Sequence, residues 1–233
     1  MKIGIICAGD DELAPFLPLI SDCKTAQKAM LKFYMGKIAG IDIVTLFSGV
    51  CKVNAAIASQ ILIDSFGVDA IINAGTAGGI APGLNIFDTV ISTEVCYHDV
   101  AQDILTEFHP WMKNVFFAAD SHLVRLSKSA VQRMEHCGKA VWGRMVTGEA
   151  FITDEGRQKI IDEFAPLSVD METASIAHVC YANGIPFMAI RCLTDTAEHN
   201  GIDNFDENCP KASSIAKDIT VAVLMEIGRE GLI

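Results

Sequence analysis

The chain has 233 residues, 51% of them hydrophobic, with a formal net charge of −11. That length holds one large α/β domain or two small ones, and the acidic balance without any Lys/Arg block excludes a nucleic-acid surface. No apolar run reaches membrane-spanning length, and eight scattered cysteines with no C-x-x-C pair fit a reducing interior.

The expectation is therefore a soluble cytoplasmic protein with no membrane or nucleic-acid partner. Residues 2–8 are already a continuous apolar run of central-strand type, so no signal peptide is expected. This strand ends at Gly9, and Asp10-Asp11-Glu12 open a helix whose dipole they suit. Pro15 and Pro18 keep that helix short.

Residues 28–37 and 41–47 pattern as a strand pair joined at Ala39-Gly40. Ser48-Gly49-Val50-Cys51-Lys52 turns into a helix over 53–66, with Val53, Ala56, Ile57 and Ile61 at helical spacing as its expected inner face. A buried strand over 68–73 follows, and then the glycine-rich run Ala74-Gly75-Thr76-Ala77-Gly78-Gly79. Glycines placed there let backbone approach a ligand or a neighbouring strand. The run matches neither a Rossmann nor a Walker fingerprint, and a tight turn is its plain reading.

A strand over 88–95 leads to Cys96-Tyr97-His98-Asp99, and then to a loop-like stretch, 100–114, that carries Ile104, Leu105, Phe108, Trp111 and Met112. Such apolar residues need a partner surface or a ligand. Next come a helix over 120–137, a strand over 140–147, and the segment Gly148-Glu149-Ala150-Phe151-Ile152. Thr153 reads as the N-cap of a helix running to 164.

Leu167–Val169 is a short strand that meets two acids, Asp170 and Glu172, on either side of Met171. The helix that follows, to about 182, is apolar nearly all round and so is buried. Acids are seldom fully buried unless paired, and strand carboxyl ends are where open α/β sheets bind ligands. Glu172 is therefore a candidate functional acid. A strand over 185–193 exits into Thr194-Asp195, a third carboxylate at a strand end, and a helix over 209–228 closes the chain. Taken alone, Glu12 and Asp195 read as helix-start and turn acids. The alternation of strands and helices predicts a single α/β domain over 1–233, a mixed β-sheet with helices on both faces.

Several of these stretches carry a specific resemblance. Lys2–Ile6 with Glu12, Ser48-Gly49 with Lys52-Val53-Asn54, Ile72–Gly79, Tyr97-His98-Asp99, Gly148 with Phe151-Ile152, Asp170-Met171-Glu172 and Thr194-Asp195 together resemble the 5′-methylthioadenosine/S-adenosylhomocysteine nucleosidases of the purine nucleoside phosphorylase superfamily. The match runs in order from the first strand to the last helix. It implies a nucleoside phosphorylase-like fold, a homodimer with one site per subunit, a nucleoside substrate, no cofactor and no metal. The implied reaction is hydrolysis of an N-glycosidic bond, releasing adenine and a 5-thioribose.

The resemblance also distributes roles. Asp195 becomes the general acid that protonates adenine N7, oriented by Thr76, with Thr194 beside it. Glu172 grips the ribose 2′- and 3′-hydroxyls with Arg191 as its ion partner, and Met171 forms an apolar wall. Glu12 is the base for the attacking water, which Ser48 helps to hold. Phe151 and Ile152 belong to the base pocket, Phe151 stacking on adenine, and Gly78 is a further substrate-binding residue. The sequence departs from the family's pattern at Gly9 (usually Met), Cys51 (usually Gly), Glu149 and Asp170 (usually Asp and Glu), and throughout 100–114. Three rival readings stand beside this one: a phosphate-dependent phosphorylase, a non-catalytic nucleoside-binding protein, and a hydrolase of another 5′-modified nucleoside such as an aminodeoxyfutalosine.

Overall fold

The computed structural model describes residues 1–108, 112–135, 138–152, 154–196 and 202–231. Trp111, Cys137 and the expected cap Thr153 lie outside the described residues.

The described strands form one mixed sheet. β1 (Lys2–Cys7) runs parallel to β4 (Ile41–Phe47) on one side and to β5 (Ala70–Gly79) on the other. β5 is parallel in turn to β10 (Phe187–Asp195). β10 also pairs antiparallel with β6 (Thr89–Tyr97), which is parallel to β8 (Ala140–Thr147). The short β9 (Ser168–Asp170) joins β8 back to β5. Strands 10, 6, 8, 9 and 5 thus close into a ring, and β1, β4, β3 (Leu31–Ile38) and β2 (Ser21–Lys28) extend from it as an open wing.

The alternation of side chains along β1 divides the core. Ile3, Ile5 and Cys7 face α4 (Ser121–Arg133) and α7 (Ile202–Glu230), whereas Ile6 faces α2 (Lys52–Phe66) and α6 (Thr173–Asn183). Helices therefore cover both faces, as the apolar central strands require.

Five sequence expectations change. The stretch 28–37 is half of a hairpin: β2 and β3 meet at Ala29-Met30, both with positive φ, which a two-residue hairpin turn demands. Ala74–Gly79 continues β5 instead of turning, and its glycines let side chains come close: a Cβ would lie 2.4 Å from the Glu12 carboxylate carbon at Gly75, 3.0 Å from Asp195 Oδ2 at Gly78 and 2.8 Å from Leu193 Cδ1 at Gly79. The loop-like 100–114 contains α3 (Gln102–Glu107), with Leu105 and Met112 buried. The last helix starts at Ile202 and runs through Pro210. Asp120, expected inside α4, is its N-cap and accepts the Leu123 N–H at 2.9 Å.

Candidate active site

A cavity of about 370 Å³ opens where β1, β5 and β10 end, within the size range of small-molecule sites. Its wall takes Glu12 from α1 (Asp10–Leu13), Thr76 and Gly78 from β5, Phe151 and Ile152 from the loop after β8, and Met171 and Glu172 from the start of α6. Arg191, Thr194 and Asp195 come from β10.

Glu12 is buried, and four donors hold its carboxylate. Oε2 accepts the N–H groups of Ala8 (2.6 Å) and Gly9 (3.3 Å), and Oε1 accepts the N–H (2.6 Å) and hydroxyl (2.8 Å) of Thr76. Gly75 makes this possible, since a Cβ there would lie 2.4 Å from the carboxylate carbon. Thr76 therefore orients Glu12 and not Asp195, correcting the sequence reading. The hydroxyl on Asp195 belongs to Thr194, at 2.8 Å from Oδ1.

The β5–β10 register slips between Leu193 and Asp195, which leaves Thr194 as the extra residue of a bulge. Bulges re-aim side chains beside active sites, and this one sets Asp195 opposite Gly78, whose missing Cβ would sit 3.0 Å from Oδ2. Burial pushes the Asp195 carboxyl above its ordinary pKa, against the Thr194 hydrogen bond and the positive field of Arg157. A carboxyl so placed is desolvated and prone to keep its proton.

Glu172 stands at the N-cap of α6. Its Oε1 accepts the Cys51 N–H at 2.9 Å and its Oε2 accepts from Arg191 Nη2 at 3.0 Å. Burial lifts its pKa to about 7, although Arg191 and the Cys51 N–H pull the other way. Arg191 itself is fully enclosed. Burial opposes its charge, but Asp170, Glu12 and Glu172 outweigh that and keep it protonated.

Asp170 is the brace of the α6 turn. Its Oδ1 accepts from the Thr147 hydroxyl (2.7 Å) and from the N–H groups of Glu172 (3.1 Å) and Thr173 (3.0 Å). Its Oδ2 accepts the Thr173 hydroxyl and faces Arg191 Nε at 3.6 Å. Asn73, fully buried, completes the support. It donates to the Ile6 carbonyl, accepts from Arg191 Nη1 (3.4 Å), and holds its Oδ1 2.7 Å from the Thr173 hydroxyl oxygen.

Ser48 does not reach the cavity wall; its hydroxyl turns to the carbonyls of Gly49 (2.8 Å) and Cys7 (3.3 Å). Gly9 does line it, facing open space. The sequence reading missed Phe205 and Cys209, which line the cavity from α7. They are four apart in the chain, a spacing that marks one helix face, and starting the last helix at Cys209 hid the pair. Cys51 shows a second hidden feature. It caps α2 at φ 81°, ψ 163°, a conformation that glycine alone adopts freely. Among the described residues no group of three His, Cys, Asp or Glu side chains is arranged to hold a metal ion.

This constellation, a buried acid facing two clamped carboxylates across a nucleoside-sized cavity, is that of a nucleoside-cleaving fold. The chain belongs to the phosphorylase superfamily, whose profile matches residues 2–225. It is 38% identical to the 5′-methylthioadenosine/S-adenosylhomocysteine nucleosidase of Shewanella frigidimarina, over 97% of this chain and 100% of that one. The structure of the corresponding nucleosidase from Colwellia psychrerythraea, in complex with adenine, superposes with a TM-score of 0.89 at 35% identity, covering 97% of this chain and 95% of that one. The futalosine hydrolase of Helicobacter pylori shares the fold at lower identity, 25%, with a TM-score of 0.86 over 97% of this chain and 98% of that one.

Proposed function

We propose that the chain hydrolyses the N-glycosidic bond of 5′-methylthioadenosine and S-adenosylhomocysteine, releasing adenine and the 5-thioribose. One observation carries the reading: Glu12, Glu172 and Asp195 reach a single cavity from three elements, with only Asp195 lifted by burial without a cation in hydrogen-bond contact among the described residues.

Asp195 gives its proton to adenine N7 as the C1′–N9 bond breaks and its electron pair moves into the base. General acids of this kind need a raised pKa to hold a proton near neutrality. The ribose develops oxocarbenium character. Glu172 grips its 2′- and 3′-hydroxyls, and the negative charge of the clamp stabilises the positive centre. Glu12 takes a proton from the water that adds to C1′. Phe151 and Ile152 wall the base, and Met171 the sugar.

Water, not phosphate, is the nucleophile in this reading. A phosphate site needs free cations. Among the described residues Arg191 is the one arginine on the cavity wall, and it is committed to Glu172 and Asp170. Adenine release from 5′-methylthioadenosine in phosphate-free buffer tests this directly. Release at full rate is expected, and strict phosphate dependence overturns it. A panel of 5′-substituted adenosines with a futalosine then fixes the substituent preferred in the space beside Gly9 and Phe205.

The working unit in this reading is a homodimer. Val53 (69% exposed) and Ile57 (44%), expected on the inner face of α2, lie on its outer face, while Ala55, Ala58 and Leu62 pack inward; with Val50 (49%) just before the helix and Tyr181 on α6 they make an exposed apolar patch. Such a patch fits a partner surface. Sedimentation at micromolar concentration should give twice the chain mass. The free thiols among the described cysteines fit the reducing cytoplasm.

A further inference from the structure

Three sequence features that take no part in the chemistry meet at one place. Lys52 Nζ lies 2.9 and 3.0 Å from the two Asp99 oxygens. Asp99 Oδ2 accepts the Glu149 N–H at 2.9 Å, and Glu149 Oε1 accepts the Lys52 N–H at 3.0 Å. The ammonium also sits 5.3 Å from the centre of the Tyr97 ring. The start of α2, the turn after β6 and the loop after β8 are thereby tied into one ring of charged hydrogen bonds.

None of Lys52, Asp99 and Glu149 lines the cavity, but their chain neighbours do the gripping. Next to Lys52 is Cys51, whose N–H holds Glu172. Next to Glu149 are Ala150, Phe151 and Ile152, the base wall. The loop has little slack of its own. Gly148 donates to the Asp170 carbonyl at 3.1 Å, and a Cβ on Gly148 would lie 2.2 Å from His98 Nε2. The Lys52 and Asp99 side chains are only 19% and 27% exposed, so solvent screens the pair incompletely. Burial would raise the Asp99 carboxyl, yet Lys52 and the Glu149 N–H outweigh it and hold it below its ordinary range.

We propose that Lys52 and Asp99 are positioning residues that fix the distance between the base wall and the ribose clamp. They touch no substrate. They act on a nucleoside, which spans both walls, and leave adenine, which meets only one, nearly unaffected. The assignment rests on the nucleosidase reading, and binding separates the two.

The test is calorimetric titration of 5′-methylthioadenosine and of adenine on the Asp195→Asn background, with Asp99→Asn, Lys52→Met, their combination, and Lys52→Arg. Thermal melts accompany each variant. Each single change should weaken nucleoside binding about tenfold and adenine binding less than about twofold, with the double variant no worse than either single, as for side chains of one network. Lys52→Arg should restore most of the loss. Equal losses for both ligands, additive losses in the double variant, or unchanged nucleoside affinity overturns the proposal. So does failure of the Asp195→Asn protein to bind the nucleoside at all. If wild-type protein releases no adenine while the ligand split persists, the nucleosidase reading falls and the positioning role stands.

Discussion

At the end of the cavity proposed to hold ribose and water, Glu12, Asp170 and Glu172 surround Arg191, and backbone N–H groups donate to each carboxylate. At the base end Asp195 has one hydrogen bond among the described residues, from Thr194, and is set apart by burial and by Gly78. The contrast separates two uses of the same functional group. A carboxylate that must hold a geometry is surrounded by donors. The one proposed to surrender a proton is left under-served in a desolvated corner, where its neutral form is favoured.

The largest test of that contrast is Asp195→Asn. It removes the transferable proton and keeps the shape, so turnover should fall about a thousandfold while nucleoside binding persists in calorimetry. Unchanged turnover would remove Asp195 as the acid. Gly75→Ala should strike the opposite end. Its new Cβ would lie 2.4 Å from the Glu12 carboxylate carbon, and displacing a reacting group by about an ångström costs about a hundredfold. Single-turnover assays should show a slowed chemical step.

A smaller effect follows from pH. Glu172 binds its proton more tightly in the folded chain than in the unfolded one. The unliganded fold should therefore lose stability as pH climbs from the ordinary carboxylate range through about 7. Asp195, shifted in the same direction, adds to that slope. Denaturation at a series of pH values should show the loss, and Glu172→Gln should flatten it. The smallest expected change is Cys51→Gly. Relief of backbone strain of about 1–3 kcal/mol outweighs the extra unfolded-state freedom of glycine, about 0.4–1 kcal/mol. A modest rise in Tm with unaltered KM is expected, since the N–H that holds Glu172 stays. A drop in Tm would mean that the Cys51 side chain contributes packing worth more than the strain.

The sequence exposed the parts of this architecture that have a period. Buried strands at residues 2–8 and 185–193 and the apolar helix after Glu172 were visible because hydrophobic runs report burial directly. The carboxylates were visible because acids at the ends of apolar strands are costly to bury. What stayed hidden depends on contacts distant in the chain. The glycines of 74–79 look like a turn until Glu12, Asp195 and Leu193 are placed over them. Thr76 turns to Glu12, and the hydroxyl on Asp195 comes from Thr194, at a one-residue bulge of β10 that no local pattern announces. Asn73 reads as a strand residue, and only the convergence of Arg191, Thr173 and Ile6 gives it a task.

The ring made by strands 10, 6, 8, 9 and 5 gives the site a further property. A strand in an open sheet can slip along one neighbour, but within a closed circuit any slip must be matched by an equal slip at every junction around it. β10 is locked on one flank to β5 and on the other to β6, and so Asp195 is indexed to the glycine run as teeth are indexed on a gear. The position of Asp195 along β5 is therefore carried by backbone ladders, whereas Glu12 and Glu172, which lie off the ring, depend on the side-chain and backbone donors around them.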